Sequence, residues 1–93
     1  MNAYLFVFDR NFRTDYTDLH NGIKNDTKIS NWWHYLNSAY ILKSSYSVTE
    51  LTDSIRSYFP TGRFVVFQIT RQNYNGWLSE EAWAWVYNNV DLL

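Results

Sequence analysis

The sequence predicts an α+β fold, in which a β-sheet packs against helices, and three observations support this. Apolar runs rich in aromatic and β-branched residues occur at 3–9, 32–44 and 63–70, as is typical of strands. The segments that separate or follow these runs carry apolar residues at helical spacing. A Ser or Thr stands at the expected N-cap of each helical segment, which indicates where each helix begins.

The first strand is predicted at residues 3–9, AYLFVFD. Both of its alternating faces are apolar, which is typical of a central strand that is covered on both sides. A helix follows, because Leu19 and Ile23 lie one helical turn apart and Thr14 is a suitable N-cap. Gly22 weakens this helix prediction, since glycine disfavours helical backbone.

The middle of the chain contains two β-rich runs, at residues 32–36 and 38–44, which we interpret as a hairpin or one bent strand pair. Ser47 and Glu50 then form an S-x-x-E capping box at the start of a second helix. We expect that helix to end just before Pro60, because the residue that precedes a proline disfavours helical backbone.

A strong strand is predicted at residues 63–70, and Ser79 caps a third helix with Trp83 and Val86 on its apolar stripe. The element order is therefore β-α-β-β-α-β-α. The first six elements match a ferredoxin-like βαββαβ sandwich, whose right-handed crossovers give the strand order 4-1-3-2 with two helices on one face. The additional C-terminal helix, a second subunit, or both must then cover the other face.

Composition limits the kinds of partner that we expect. Ninety-three residues suit a single ferredoxin-like domain, 1–93. Aromatic residues make up 20% of the chain, which is more than the core of so small a domain readily buries. The surplus predicts an interface, most simply a homodimer. The net charge is -1 and no basic run occurs, so the sequence lacks the basic footprint of a nonspecific nucleic-acid binder.

The cellular location is predicted from features that the sequence lacks. It contains no cysteine, which excludes disulfides, thiolate nucleophiles and cysteine-ligated zinc. Its first residues do not resemble a signal peptide. Every apolar run is shorter than the roughly 18 residues that a membrane-spanning helix needs. We therefore expect a cytoplasmic protein without a membrane segment.

Three segments resemble a known family: YLFVFDRN near the start, NWWHYLNSAYILKS in the middle and GWLSEEAWAWV near the end. Together they resemble the short bacterial proteins called SinR-like. Those proteins are similar to the small CRISPR-associated adaptation endoribonucleases, known as the second Cas protein, and more distantly to VapD toxins. The resemblance covers nearly the whole chain.

The resemblance implies a ferredoxin-like homodimer that cleaves phosphodiesters with a divalent metal, Mg²⁺ or Mn²⁺, although many members are purely structural dimers. The family's Asp at the end of the first strand meets its twofold mate near that metal, and the matching position here is Asp9. Ser38 matches a serine that the family often carries at the start of its third strand, so the catalytic prediction includes it. The chain departs from the family at Arg10, where an aliphatic residue is usual, and in its Trp-rich last helix, which replaces an exchanged strand.

Asp9 has two interpretations from the residues alone. A lone carboxylate is a poor site for Mg²⁺ or Mn²⁺, but a twofold axis would bring two carboxylates to one cation. In the alternative, Asp9 accepts backbone hydrogen bonds in a turn or pairs with Arg10 or Arg13. Both arginines are candidate substrate-binding residues that would bind phosphate oxygens. Two arginines are too few to indicate a nucleic-acid surface, which favours the alternative of a solvated, charged loop.

The histidines and tryptophans are also open to two interpretations. His34 is either a general acid or base near neutral pH or a hydrogen-bonded structural residue, and His20 is interpreted as surface. The tryptophans either stack nucleic-acid bases or fill the core and an interface. Trp85 is expected to point away from the packed stripe of the third helix and so to mark a contact surface.

Two functions from different classes follow from these observations. The first is a metal-dependent nuclease acting on RNA or DNA, with Asp9 of each subunit at the dimer axis. The second is a non-catalytic dimeric module that binds a protein or nucleic acid through its sheet edge and its Trp-bearing helix. A toxin-like ribonuclease is a third hypothesis, and fold likeness alone does not decide among them.

Overall fold

A computed structural model describes residues 1–11 and 14–92 and confirms the predicted α+β class. Within those residues none of the helices is long and apolar enough to cross a membrane. The elements, in chain order, are β1 (Asn2–Phe8), α1 (Thr17–Asn25), β2 (Asn31–Trp33), β3 (Ala39–Ser44), α2 (Val48–Tyr58), β4 (Phe64–Ile69), α3 (Glu80–Val86) and a π-helical turn (Tyr87–Asp91).

The strands form one antiparallel sheet in the order β2-β3-β1-β4, which reads β4-β1-β3-β2 from the other edge. β1 is therefore central, as its two apolar faces predict. Phe6 of β1 lies opposite Tyr40 of β3 on one side and Val66 of β4 on the other. This register fixes which side chains meet at each end of the sheet, because neighbouring positions alternate between the two faces.

β2 is shorter than the predicted strand at residues 32–36. It ends at Trp33, and the exposed Tyr35 and Leu36 lie outside it. The reason is a tight turn, in which the backbone N–H of Ala39 donates to the carbonyl of Leu36. Aromatic β propensity favoured a longer strand, but the short connection to β3 overrides it.

One face of the sheet packs against α1 and α2. Tyr4, Phe6 and Phe8 are buried there with the apolar stripes of both helices. A Cβ on Gly22 would lie only 2.2 Å from Cδ2 of Tyr58. Gly22 therefore allows α1 to approach α2 closely, which is a packing role that helix propensity does not reveal.

Two of the three predicted helix caps are confirmed and one is wrong. Ser47 accepts from the backbone N–H of Glu50, whose side chain reaches back to the N-cap backbone, and Ser79 accepts from the backbone of Ala82. α1, in contrast, begins at Thr17 rather than after Thr14. The carboxylate of Asp15 accepts hydrogen bonds from both the backbone N–H and the hydroxyl of Thr17. These bonds form a turn, so the helix begins later in the chain than predicted.

α3 and the π-helical turn pack on the opposite face of the sheet. Val86 and Val90 are buried against Ala3, so the predicted stripe of α3 is confirmed. Trp85 is half-buried rather than free in solvent, and its ring centre lies 6.4 Å from that of Trp33. It therefore belongs to the packing between α3 and the end of β2.

The described residues leave the β4 side of this second face uncovered. Val65 and Phe67 of β4 are 45% and 57% exposed, and Trp77, on the segment before α3, is 99% exposed. β4 is also an edge strand, and none of its residues Phe64–Ile69 is charged. An exposed apolar strip thus runs along one edge of the sheet.

Candidate functional site

A polar cleft opens where the end of β1, the start of β3 and the first turns of α1 converge. Its volume is about 390 Å³. We call it the histidine cleft and define it by its lining residues: Phe8, Arg10, Asp15, Tyr16, Thr17, His20, His34 and Tyr40.

Backbone hydrogen bonds hold the end of β1 at this cleft. The N–H of Phe8 donates to the carbonyl of Ser38 at 3.0 Å, and the N–H of Asp9 donates to the carbonyl of Arg63 at 2.9 Å. The loops before β3 and β4 are therefore tied to β1 at the point where its apolar sequence stops. This places Asp9, Arg10 and Ser38 at the same end of the molecule as the two histidines.

Tyr40 is the centre of the cleft's side-chain network. It is buried on β3, and its hydroxyl lies 2.7 Å from Nδ1 of His20. The ring of His34 stacks on the Tyr40 ring with centres 3.9 Å apart. The centres of the two imidazole rings are 6.1 Å apart. Both rings can therefore reach one bound group through hydrogen bonds of about 3 Å.

The hydrogen bonds of the two histidines assign different tautomers to them. His34 Nδ1 lies 3.0 Å from the carbonyl of Ala39, which only accepts, so Nδ1 carries the proton and Nε2 of the neutral ring is a lone-pair acceptor. For the 2.7 Å contact between the Tyr40 hydroxyl and His20 Nδ1, we assign the hydroxyl as the donor. Neutral His20 then carries its proton on Nε2.

Both imidazole rings line the cleft. The cleft therefore presents one imidazole that accepts a proton, His34, and one that donates a hydrogen bond, His20. This pairing is suited to a substrate group that must lose a proton next to an atom that gains negative charge.

Burial, local charges and hydrogen bonds set the protonation states around the cleft. Burial raises the pKa of Tyr40 to about 12, against an opposing effect of Arg10, so its hydroxyl stays protonated at neutral pH. The pKa of His20 is lowered by burial and then by the charges of Lys24 and His34. The lowered pKa favours the neutral form of His20.

Arg10 provides the positive charge of the cleft. Its guanidinium donates to the carbonyl of Asn37 at 3.0 Å and lies 4.7 Å from the ring centre of Tyr16. The Tyr16 hydroxyl in turn donates to the carbonyl of Asp9. A guanidinium has five N–H donors, so these contacts fix its position and leave donors for an anion.

The predicted site residues are only partly brought together. Arg10 lines the cleft, whereas the exposed Asp9 and the half-buried Ser38 lie beside it without lining it. Arg13, the second predicted substrate-binding residue, lies outside the described residues. Asp15 also lines the cleft, and its carboxylate is bonded to Thr17, which lowers the pKa of Asp15.

The described residues of one chain do not by themselves form a site for Mg²⁺ or Mn²⁺. Within residues 1–11 and 14–92 no group of three or more His, Asp or Glu side chains is placed to hold a metal. Such ions take oxygen ligands from several groups. Asp9 would therefore need the carboxylate of a second subunit, as the sequence prediction already required.

Sequence reasoning missed most of the histidine cleft. His20 was interpreted as surface, but it is half-buried and bonded to Tyr40. One signal was present, because Tyr16, the N-cap of α1, and His20 are four residues apart and so lie on the same side of the helix. The structural interpretation of His34 agrees with its bond to Ala39, and its ring also lines the cleft.

Comparison with known proteins adds no family assignment. The chain matches no protein-family model, no curated protein and no solved structure. The class of protein is therefore proposed from the chemistry of the cleft together with the sequence resemblance.

Proposed function

We propose that the protein is a small cytoplasmic nuclease of ferredoxin-like fold that works as a homodimer and cleaves RNA. The observation that carries this proposal is that two imidazoles line one cleft beside Arg10, with their Nδ1 atoms engaged by Tyr40 and Ala39. The antiparallel order β4-β1-β3-β2, with α1 and α2 on one face, supports the ferredoxin-like assignment. The sequence resemblance to CRISPR-associated endoribonucleases supports the same substrate class.

The cleft supplies the groups that ribonucleotide cleavage needs. Arg10 and the Nε2–H of His20 bind the phosphate oxygens and stabilise the charge that develops on them. His34 Nε2 accepts the proton of the ribose 2′-hydroxyl while that oxygen bonds to phosphorus. The bond from phosphorus to the 5′-oxygen breaks, and the leaving oxygen takes a proton from water. The products are a 2′,3′-cyclic phosphate and a 5′-hydroxyl.

A metal-dependent version of the proposal uses Asp9 instead. Two Asp9 carboxylates, one from each subunit, would hold Mg²⁺ or Mn²⁺ at the dimer axis, and Ser38 lies next to β1 at the same end of the sheet. The bound ion would supply Lewis-acid stabilisation of the phosphate. This version also accommodates DNA, because it does not require a nucleophile within the substrate.

A cleavage assay with matched substrates tests the proposal. End-labelled single-stranded RNA and DNA of one sequence are incubated with the protein in Mg²⁺, in Mn²⁺ and in EDTA. We expect RNA to be cut in EDTA, with a cyclic phosphate end, and DNA to remain intact. His34→Gln should reduce the rate by roughly 100-fold or more, because general-base catalysis typically contributes that much.

Two aspartate variants distinguish the metal-independent mechanism, which uses His34, from the metal-dependent mechanism, which uses Asp9. Asp9→Asn should leave cleavage in EDTA nearly unchanged, as should Asp18→Asn, a matched change at an exposed position of α1. If cleavage requires a divalent ion and is lost in Asp9→Asn, the His34 mechanism is wrong and the metal-dependent mechanism is supported. If neither nucleic acid is cut under any of these conditions by the folded protein, the nuclease proposal is wrong.

The second candidate function is a non-catalytic dimeric module that binds a protein partner. The observation that favours it is the exposed apolar strip of Val65 and Phe67 with the fully exposed Trp77 nearby. It predicts no turnover of RNA or DNA and a dimer in sedimentation equilibrium. Val65→Asp should dissociate that dimer while leaving the circular dichroism spectrum unchanged.

A further inference from the structure

A second cavity lies on the opposite face of the sheet from α1 and α2, away from the histidine cleft. We call it the sheet–helix pocket. Its floor is the sheet surface at Leu5 and Ile41, and its walls include Phe67 of β4, Trp83 of α3 and the segment before α3. Its volume is about 450 Å³, which lies within the range of roughly 300–1,000 Å³ typical of small-molecule sites.

The lining of this pocket selects against charged ligands. Among the described residues that line it, none is Asp, Glu, Lys, Arg or His. A charged group placed there would lose its hydration without gaining an opposite charge, which is strongly unfavourable. The occupant that the pocket favours is therefore electrically neutral.

The same lining favours a ligand with aromatic rings. Aromatic residues of this face contribute to it: Trp33, Phe67, Tyr74 and Trp83, with the exposed Trp77 at its rim. Rings of this kind gain energy from stacked and edge-to-face contacts beyond the area that they bury. Asn73 and Asn75 in the loop after β4 add amide donors and acceptors, which can orient one or two polar atoms of a ligand.

The pocket is largely built by side chains that are already fixed. Val86 and Val90 are buried between the sheet and α3, and Trp83 packs at 6.3 Å from Tyr74, ring centre to ring centre. Binding therefore requires little ordering of the walls, which lowers its entropic cost. Phe67 and Trp77 are the exceptions, since they are 57% and 99% exposed and lose solvent contact when a ligand covers them.

We propose that the sheet–helix pocket is a binding site for an uncharged aromatic small molecule. The occupant is a ligand of one to three rings with a small number of hydrogen-bonding atoms. The site is independent of the cleavage chemistry, because none of Arg10, His20 and His34 lines it. A second copy of the chain is the competing occupant that the experiment must distinguish.

Fluorescence of N-phenyl-1-naphthylamine, an uncharged aromatic dye, tests the proposal on the full chain. We expect saturable enhancement of the dye emission and a blue shift of tryptophan emission, and indole should compete with the dye. Phe67→Asp should weaken binding by roughly tenfold or more, because it places an unpaired charge at the wall. Val65→Asp is the matched control, since Val65 lies on the same face of the same strand, is exposed, and does not line the pocket.

Several results would overturn the proposal. Equal loss of dye binding in Phe67→Asp and Val65→Asp would mean that the dye coats the open sheet face rather than entering the pocket. Unsaturable or absent enhancement in a protein with a normal circular dichroism spectrum would also contradict it. The same holds if sedimentation equilibrium gives a dimer that Phe67→Asp dissociates and that excludes the dye, because a second copy would then fill the site.

Discussion

The imidazole of His34 lies parallel to the phenol ring of Tyr40, with the ring centres 3.9 Å apart and the planes inclined by 7°. The bond from Nδ1 to the Ala39 carbonyl fixes the rotation of the same imidazole. Two independent contacts thus orient His34 before any substrate arrives. Because Tyr40 also bonds His20, a single buried side chain positions both histidines of the cleft.

Replacing Tyr40 by phenylalanine keeps the stacked ring and removes only the hydroxyl. His20 Nδ1 then loses its partner, and we expect the free energy of unfolding to fall by about 1 kcal/mol, the usual net value of one hydrogen bond. Urea denaturation measures this change, and nitrogen NMR of the His20 ring reports the altered tautomer. Tyr35→Phe is the control, because Tyr35 is 62% exposed, and its stability should change by less than about 0.5 kcal/mol. Equal effects in both variants would contradict the assigned role of the Tyr40 hydroxyl.

Protonation of His20 should make the fold less stable in mild acid. Its pKa is lowered by burial, by Lys24 and by His34, so the folded protein binds this proton less readily than the unfolded chain, whose histidine has the ordinary pKa of 6.5. The contribution of His20 is therefore fully present above that value and is lost as the pH falls through the lowered pKa. Urea denaturation at about pH 7 and about pH 5 measures the loss, which should be smaller in His20→Gln.

Lys24 offers a direct check on the cause of this shift. Lys24→Gln removes one of the positive charges that lower the pKa of His20. The NMR titration of the His20 ring should then move to higher pH. A titration curve that is the same in the variant and the original protein would rule out the Lys24 contribution.

Gly22→Ala should destabilise the protein although alanine favours helices. The new methyl group would lie 2.2 Å from Cδ2 of Tyr58, and Tyr58 is held by its hydrogen bond to the Asp26 carboxylate at 2.9 Å. Overpacking typically costs about 1–3 kcal/mol, which outweighs the roughly 1 kcal/mol that alanine gains over glycine in a helix. We therefore expect a lower midpoint of thermal unfolding.

Gly76→Ala provides the comparison for that variant. No atom lies within 4 Å of a Cβ placed on Gly76, so its stability should change by less than about 0.5 kcal/mol. A Gly22→Ala protein that is more stable than the original would mean that Tyr58 moves aside at little cost, and the close approach of α1 to α2 would not be required.

Ser47→Ala should weaken α2 at its first turn. The Ser47 hydroxyl accepts from the backbone N–H of Glu50 at 3.2 Å, and the Glu50 carboxylate accepts from the backbone N–H of Ser47 at the same distance. Loss of a serine N-cap costs about 1 kcal/mol in proteins. Chemical denaturation measures the effect, and Ser45→Ala, an exposed position outside the helix, should be close to neutral.

The parts of the fold that could be predicted from sequence are those encoded by short stretches of chain. The capping box at Ser47 and Glu50 needs only four residues, and the stripe of α3 needs only helical spacing. The length of β2 could not be predicted in this way, because the turn at Leu36 and Ala39 opposes the strand propensity of the aromatic residues before it. Gly22 was misjudged for a similar reason, since its role depends on Tyr58 of another helix.

The histidine cleft could be predicted only in fragments. His20, His34 and Tyr40 come from α1, the β2–β3 connection and β3, and they meet through hydrogen bonds and stacking between those elements. Nothing in the spacing of the three residues along the chain encodes that meeting. Asp9 and Arg10 were found because they directly follow the apolar run at residues 3–8, which is a local signal.

The uncharged edge of β4 has a consequence for how the molecule behaves in concentrated solution. Backbone donors and acceptors along Phe64–Ile69 face outward beside apolar side chains, and such an edge readily accepts a strand from another polypeptide. The protein should therefore self-associate into elongated assemblies as its concentration rises, unless the edge is occupied. Val65→Lys would place a positive charge on this edge strand. It should prevent the association while leaving the buried core unchanged.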